Sequence, residues 1–255
     1  MTYLANIQVP PKGTPIPRTM GEAKKSPFWE GFHRAIYTEL ETLERNKTWE
    51  FVDIRSLPKG TNILRSKMVF DLKYGPSGEF LKFKARMVAM GFTQVEGVDY
   101  FETFAGVVSP KSLRVLLSIW NCFPEFSFEH WDVKSAFTNA PIEETVYVHQ
   151  VPGFEKEGTA GKVLLLRKAL YGTKQAARAW KLFLSKIFLE LGARVHLKDE
   201  CVYIFREGSA FLIIGTHVDD IFSLFNEEGR VLRDRVMRSL RARWRLMTKA
   251  LWLLL

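Results

Sequence analysis

The chain has 255 residues, of which 47% are hydrophobic and 25% charged, and its formal net charge is +9. This composition is typical of a globular protein, and the positive charge favours a polyanionic partner, nucleic acid before an anionic membrane surface. The two cysteines form no CxxC motif and the five histidines show no metal-binding spacing, which excludes a disulfide framework and a zinc knuckle. We find no signal-peptide core and no apolar run near the roughly 20 residues of a membrane helix, so no membrane partner is expected.

The first part of the chain predicts a loose segment, a helix and a strand. Residues 1–26 are rich in Pro, Gly and Lys and predict a flexible N-terminal arm. Apolar residues then recur every three or four positions from Trp29 to Leu43, which predicts an amphipathic helix. The stretch TWEFVDI, residues 48–54, predicts a short strand.

A basic hairpin follows. Residues 68–74 and 80–90 flank the turn sequence GPSGE and predict two paired strands. The hairpin carries several cations, among them Lys73 and Arg86. These residues indicate either a solvated, edge-protected strand pair or a surface for an anionic ligand.

The remaining segments mix strands and helices. The pattern predicts helices over 111–121, from Trp180 to Leu191, and over 230–247, where Val236, Leu240, Trp244 and Met247 form the apolar stripe. It predicts strands at 126–133, 146–154, 162–172 and 201–225. Because strands and helices do not alternate strictly, the fold class is predicted to be α+β with a partly antiparallel sheet.

The stretch FLIIGTHVDDIFSLF, residues 211–225, places Asp219 and Asp220 between two apolar runs. Aspartate is a poor strand residue, so the pair predicts the tip of a hairpin, where it could be a solvated turn and nothing more. A third aspartate, Asp132, ends another apolar strand in WDVKSAF. If the two strands are neighbours, three carboxylates converge at one sheet end.

Three such carboxylates would repel one another, and we identify nothing nearby in sequence that neutralises them. Hard divalent cations would do so, since Mg²⁺ prefers oxygen ligands and often bridges carboxylates and substrate phosphates. Two ions about 4 Å apart can activate a hydroxyl and stabilise a leaving pyrophosphate. The basic hairpin and the carboxylates together predict nucleotidyl transfer; a metal-dependent nuclease is the alternative, although no general base is evident.

An ordered set of motifs resembles the reverse transcriptase of copia-type LTR retrotransposons. The motifs are, in order, NKTWEFV, KFKARMVAMGFTQVEGVDYFETFAGVVS, WDVKSAFTNAPIEETVYVHQVPGF, LRKALYGTKQAARAW and HVDDI. The resemblance covers residues 27–247 and implies a right-hand polymerase fold with fingers and palm. Residues 248–255 form an off-pattern apolar tail, and the thumb that would follow is expected to be truncated.

The resemblance also implies roles for individual residues. Asp132, Asp219 and Asp220 would be the catalytic metal ligands, helped by the carbonyl of Val133, and would hold two Mg²⁺ ions, with Mn²⁺ as a substitute. Five further residues would contact the incoming deoxynucleoside triphosphate or the template: Lys73, Arg86, Phe137, Lys174 and Gln175. Phe137 would exclude a ribose 2′-hydroxyl, but it could equally be a core aromatic, and Lys174 and Gln175 could be surface residues.

The chain departs from the family pattern at several positions. His217 replaces the Tyr that precedes the paired aspartates by two positions, which affects primer positioning. Gly106 and Ala177 stand where the family has Pro, and Thr138 stands where it has Leu. Gly106 adds backbone freedom, and Ala177 makes the turn before the Trp180 helix less rigid.

Two principal hypotheses follow from the resemblance. The first is an RNA-directed DNA polymerase domain that acts on an RNA or DNA template-primer, in an element whose cycle ends in DNA integration. The second is a catalytically inactive remnant that at most binds nucleic acid; a third is a chain that does not fold stably alone. The integrase and RNase H of the parent polyprotein are expected to be absent from this chain, and the expected location is the cytoplasm, in virus-like particles.

Overall fold

The computed structural model describes residues 8–249, and the chain divides into two compact units. Unit 1 comprises Met1–Phe101 and Ile142–Ala176, and unit 2 comprises Glu102–Pro141 and Ala177–Leu255. Among the described residues, no helix is long and apolar enough to cross a membrane. The helices are α1 (Met20–Lys25), α2 (Trp29–Arg45), α3 (Pro110–Cys122), α4 (Ala176–Glu190) and α5 (Arg230–Arg243). The strands are β1 (Trp49–Asp53), β2 (Ile63–Leu64), β3 (Ser66–Tyr74), β4 (Phe80–Ala89), β5 (Ser127–Val133), β6 (Tyr147–Val148), β7 (Lys162–Leu166), β8 (Arg194–His196), β9 (Asp199–Glu207), β10 (Ala210–His217), β11 (Asp220–Phe225) and β12 (Leu246–Lys249).

Unit 1 contains a four-stranded sheet in the order β1-β7-β6-β2 and the separate hairpin β3–β4. The predicted basic hairpin is confirmed, since β3 and β4 pair antiparallel along most of their length. Helix α2 packs against this hairpin through Phe32, whose ring meets Phe70 and Phe83 edge to face at centroid distances of 5.2 and 5.0 Å. Aromatic pairs of this geometry stabilise the core beyond the area that they bury.

Part of the predicted flexible arm is a helix. The hydroxyl of Thr19 accepts a hydrogen bond from the backbone N–H of Glu22, which is the N-cap interaction that begins α1. Ala23 on this helix is fully buried in the core of unit 1. The Pro- and Gly-rich composition of residues 1–26 therefore did not reveal the short helix at their end, and residues 1–7 lie outside the described part of the chain.

Unit 2 is built on a six-stranded sheet in the order β12-β5-β11-β10-β9-β8. Every strand pair in it is antiparallel, so the partly antiparallel sheet predicted from the sequence is antiparallel throughout this sheet. Helices α4 and α5 cover one face, where Trp180 and Val236 join Ile221 in one core cluster. Helix α3 lies against the other face, where Leu116 clusters with Phe128. The fold is therefore α+β, as predicted.

Helix α5 ends earlier than its apolar stripe predicted. Val236 and Leu240 are buried in the helix as expected, but the chain becomes extended at Trp244, whose N–H still bonds to the carbonyl of Leu240. Met247 is not a helical residue; it lies 44% exposed on β12. Because β12 pairs with β5 as far as Lys249, the predicted tail begins within a strand, and residues 250–255 are outside the described range.

Candidate functional site

The candidate site lies in unit 2 where β5 and β11 pair. Asp132 and Asp220 are direct partners in this antiparallel register. Side chains at directly opposed positions point to the same face, with Cβ atoms about 5 Å apart. Phe128 on β5 and Phe222 on β11 lie on this same face of the sheet and belong to one core cluster. The prediction that the two aspartate-bearing strands are neighbours is confirmed.

Asp219 lies in the two-residue turn that joins β10 to β11. His217 pairs with Asp220, so Val218 and Asp219 form the turn, and Asp219 is exposed. Its carbonyl accepts a hydrogen bond of 2.8 Å from the N–H of Val133 on β5. Within the part of the chain that the structure describes, no three His, Cys, Asp or Glu side chains are grouped to hold a metal ion. The structure thus brings two of the three predicted carboxylates together and places the third at the turn.

Two lysines neutralise these carboxylates, which corrects the expectation that nothing nearby would do so. Lys134 Nζ lies 2.9 Å from Asp132 Oδ2, although Lys134 is only two residues further along the chain. Lys249 Nζ lies 3.1 Å from Asp132 Oδ1 and forms a second ion pair with Asp220. One ammonium group therefore bridges the two facing carboxylates.

The charge balance of the site appears in its pKa values. Burial alone would raise the pKa of Asp132, but hydrogen bonds from Lys134 and Lys249 outweigh it and lower that pKa below its ordinary value. Burial works against the charged form of Lys249 too, yet Asp220 and Asp132 raise its pKa. Both groups are consequently charged at neutral pH, and the site is a compensated ionic cluster.

His130 is a member of this site that sequence reasoning missed. Its Nε2 lies 2.7 Å from Asp220 Oδ1, its ring lies 4.7 Å from that of Phe222, and the residue is 5% exposed. A carboxylate accepts, so Nε2 is the donor of this hydrogen bond, and Nδ1 has no partner among the described residues. The signal in the sequence is that His130 stands two positions before Asp132, on the same face of the strand.

Lys73 and Arg86, predicted to contact a triphosphate, lie on the β3–β4 hairpin of unit 1. Lys73 is opposite Lys82 in the register and pairs with Asp71 at 2.5 Å. The guanidinium of Arg86 lies over the ring of Tyr171, 5.6 Å from its centroid. Like charges placed directly opposite are destabilising, so the Lys73–Lys82 pair is a feature that folding alone does not favour. The contact of Lys73 and Arg86 with a nucleotide stays a prediction.

Gln175 occupies a position that its predicted role does not fit. It is 2% exposed, its Nε2 donates to the carbonyl of Asp99 at 2.9 Å, and its Oε1 accepts from Gln94 at 3.0 Å. The amide is therefore engaged within unit 1 and is not presented to a nucleotide or template. Lys174 beside it is exposed, and its backbone N–H donates to Gln94 Oε1 at 2.7 Å.

The two other predicted residues lie in unit 2. Phe137 begins a short 3-10 turn and is half-buried against the core under α4 and α5. The side chain of Val133 is 1% exposed in the same core. The role of Phe137 as a steric gate and the contact of the Val133 carbonyl with a metal stay predictions.

The departures from the family pattern are accommodated locally. Thr138 is fully buried, and its hydroxyl donates to the carbonyl of Ser135 at 3.0 Å, so it carries no unpaired donor. Gly106, Ala177 and Trp180 line one small cavity of about 50 Å³. His217 is exposed at the end of β10. The two positions at which the family has Pro thus adjoin the same cavity.

Ala177→Pro is expected to stabilise the protein by about 0.5–1 kcal/mol. Ala177 is the second residue of α4, where backbone N–H groups lack intrahelical partners, so the ring removes no helical hydrogen bond and restricts the unfolded chain. Thermal unfolding should show a rise in Tm of about 1–4 °C. Ala179→Pro, two residues further into the helix, is the control and should have a smaller benefit or a loss; a gain equal to that of Ala177→Pro would contradict the explanation.

An antiparallel sheet with two helices on one face and paired aspartates at a hairpin on the other defines a polymerase-type α+β domain. A family model for reverse transcriptase (RNA-dependent DNA polymerase) matches residues 46–249, and the chain belongs to this family.

Curated relatives support the assignment. The chain is 34% identical over 221 residues to a retrovirus-related Pol polyprotein from transposon TNT 1-94 of Nicotiana tabacum, an alignment that covers 85% of this chain and 16% of the relative. It is 33% identical over 211 residues to the polyprotein from transposon RE1 of Arabidopsis thaliana, covering 83% of this chain and 14% of the relative. A solved structure of a foamy viral protease-reverse transcriptase in complex with double-stranded DNA matches 84% of this chain and 30% of that chain, with 12% identity and a TM-score of 0.38. The chain spans less than a fifth of the length of either transposon polyprotein.

Proposed function

We propose that this chain is an RNA-directed DNA polymerase domain that adds deoxynucleotides to a primer by two-metal nucleotidyl transfer. The observation that carries the proposal is the register of β5 and β11, which sets Asp132 opposite Asp220 beside the turn that carries Asp219. Membership of the reverse transcriptase family and the net charge of +9 support a nucleic-acid template-primer as the partner. The proposed setting, by analogy with transposon polyproteins, is a cytoplasmic virus-like particle.

The donor set fits a divalent cation. Asp132 and Asp220 offer hard anionic oxygens, and both already share one cation, the ammonium of Lys249. Asp219 would supply a third carboxylate from the exposed turn. When bound, Mg²⁺ or Mn²⁺ would activate the primer 3′-hydroxyl and stabilise the leaving pyrophosphate.

The chain's own residues would orient the reactants. Asp132 is 8% exposed and held by Lys134, so its carboxylate has little freedom to turn away. His130 holds Asp220 through Oδ1, the same oxygen that Lys249 contacts. Lys73 and Arg86 are assigned to the triphosphate, where a point charge and a bidentate donor suit phosphate oxygens. Phe137 is assigned to the sugar, where it would exclude a 2′-hydroxyl.

Primer extension on poly(rA)/oligo(dT) with Mg²⁺ tests the proposal, with Asp219→Asn as the comparison. We expect the wild type to extend the primer and the variant to lose extension, because the change removes a charged ligand from the turn. Extension that continued unchanged in the variant would contradict the assigned mechanism. Absence of extension by either protein would refute the proposed activity for this chain.

Lys249→Gln is expected to make the stability of the fold more dependent on divalent cations. Without Mg²⁺, loss of the shared ammonium should destabilise the fold by about 1–2 kcal/mol, less than a fully buried pair because the site is partly open. Millimolar Mg²⁺ should then raise the Tm of the variant by more than that of the wild type. Lys134→Gln is the control: among the described residues, the Lys134 ammonium pairs with Asp132 but not with Asp220, and it is more exposed than that of Lys249, so the effect should be smaller. An equal Mg²⁺ effect on all three proteins would refute this expectation.

A catalytically inactive remnant that binds nucleic acid is the second candidate. Two observations favour it: Lys249 bridges the facing carboxylates, and His217 replaces the motif Tyr. This candidate predicts template binding that weakens steeply between low and physiological salt, with no primer extension. Affinity that is independent of salt would argue against it.

A further inference from the structure

The turn that carries Asp219 is held at both of its carbonyl groups. The carbonyl of Asp219 accepts from the N–H of Val133 on the neighbouring strand. The carbonyl of Val218 accepts from the indole N–H of Trp180 on α4, at 2.6 Å. Trp180 is 1% exposed, and the ring of Trp244 packs edge to face on it at 4.9 Å. Packing in the core therefore fixes the orientation of the indole ring whose N–H bonds to the carbonyl of Val218.

The turn needs such a support because its backbone is strained. Val218 has φ of +56°, a value that L-residues with a branched Cβ rarely adopt. A two-residue hairpin turn with positive φ at its first central position alone is the type that selects Gly there. Strain of this kind persists only when the surroundings over-determine it, and it clusters at functional sites. The part-buried hydrogen bond from the Trp180 indole reaches the carbonyl of this strained residue.

We propose that Trp180 is a positioning residue: its indole N–H holds Val218 in the strained conformation, and thereby holds Asp219 at the turn beside the strands that carry Asp132 and Asp220. This inference rests on the proposed function only for its catalytic consequence. The restraint on the turn is a property of the fold and can be measured in the absence of substrate and metal.

The experiment compares Trp180→Phe with the double variant that adds Val218→Gly. Phenylalanine keeps an aromatic ring in the core but removes the N–H, so the amide of Val133, which donates to the carbonyl of Asp219 in the turn, should exchange with deuterium about tenfold faster, as expected for one lost hydrogen bond. Glycine removes the cost of the positive φ, so the double variant should return to within about threefold of the wild-type rate. Trp244→Phe is the matched control, because Trp244 packs in the same cluster and its indole makes no described hydrogen bond to the turn.

The same proteins are then assayed for the Mg²⁺ concentration that half-saturates primer extension. It should rise about tenfold in Trp180→Phe and fall back in the double variant, a rescue that a purely packing role of Trp180 would not allow. Unchanged exchange in Trp180→Phe, or a failure of Val218→Gly to restore it, would overturn the inference even if the wild type extends primers. Restored exchange in a protein that never extends primers would leave the inference standing and refute the proposed function.

Discussion

Asp132→Asn is expected to lower the rate of primer extension by at least about a thousandfold. The amide has nearly the same shape as the carboxylate, but it lacks the negative charge that a divalent cation requires. Asp132 is also the carboxylate that both lysines of the site contact. Single-nucleotide incorporation under saturating template-primer measures the change.

Asp234→Asn provides the control for this experiment. Asp234 lies on α5 in the same unit and pairs with its neighbour Arg233, on the side of the sheet away from Asp132. Its replacement removes the same charge and should leave extension within about twofold of the wild type. An Asp132→Asn enzyme that kept a tenth or more of the wild-type rate would refute the assignment of Asp132.

Gly172→Ala is expected to destabilise unit 1 by more than about 3 kcal/mol. Gly172 has φ of +87°, and a Cβ there would lie 2.1 Å from the carbonyl oxygen of Ala89 and 2.5 Å from Val88 Cγ1. The backbones cannot separate cheaply, because the N–H of Ala89 donates to the carbonyl of Tyr171 at 2.8 Å. Urea unfolding followed by circular dichroism measures the loss.

Gly161→Ala separates the two costs that Gly172→Ala combines. Gly161 also has positive φ, +74°, but nothing lies within 4 Å of the Cβ that a substitution would add. Gly161→Ala should lower the free energy of unfolding by only about 1–2 kcal/mol, which is the cost of the left-handed backbone conformation for alanine. Equal losses at the two glycines would show that the close approach to Ala89 does not constrain the YGTKQ segment.

Local patterns in the sequence predict part of the site. The apolar runs FLIIGTH and IFSLF predict two strands around a polar turn, and the position of Asp132 at the end of an apolar strand predicts that it lies at one end of the sheet. Both faces of β5 and β11 are buried in the fold, so the apolar pattern alone does not fix the register that sets Asp132 opposite Asp220.

The sequence does not show which residues that are far apart along the chain lie close together in the fold. Lys249 reaches Asp132 only because β12 is laid beside β5, and no local pattern encodes that pairing. Gln175 reads as a polar residue of an exposed loop, yet partners distant in sequence, Gln94 and Asp99, satisfy its amide and allow its burial. The periodicity of α5 continues through Trp244 because a residue that leaves a helix can still face the same core.

The order of strands in unit 2 has a consequence for how the protein is made. Strand β5 lies between β11 and β12, both of which come much later in the chain, whereas β8 to β11 each pair with a sequence neighbour. Pairings between distant segments must overcome loop-closure entropy before any contact compensates it, and they form slowly. During translation, the strand that carries Asp132 therefore leaves the ribosome with both of its edges open. It acquires its second neighbour only after Lys249 has been synthesised, so this strand stays open to mispairing until the end of β12 has been made.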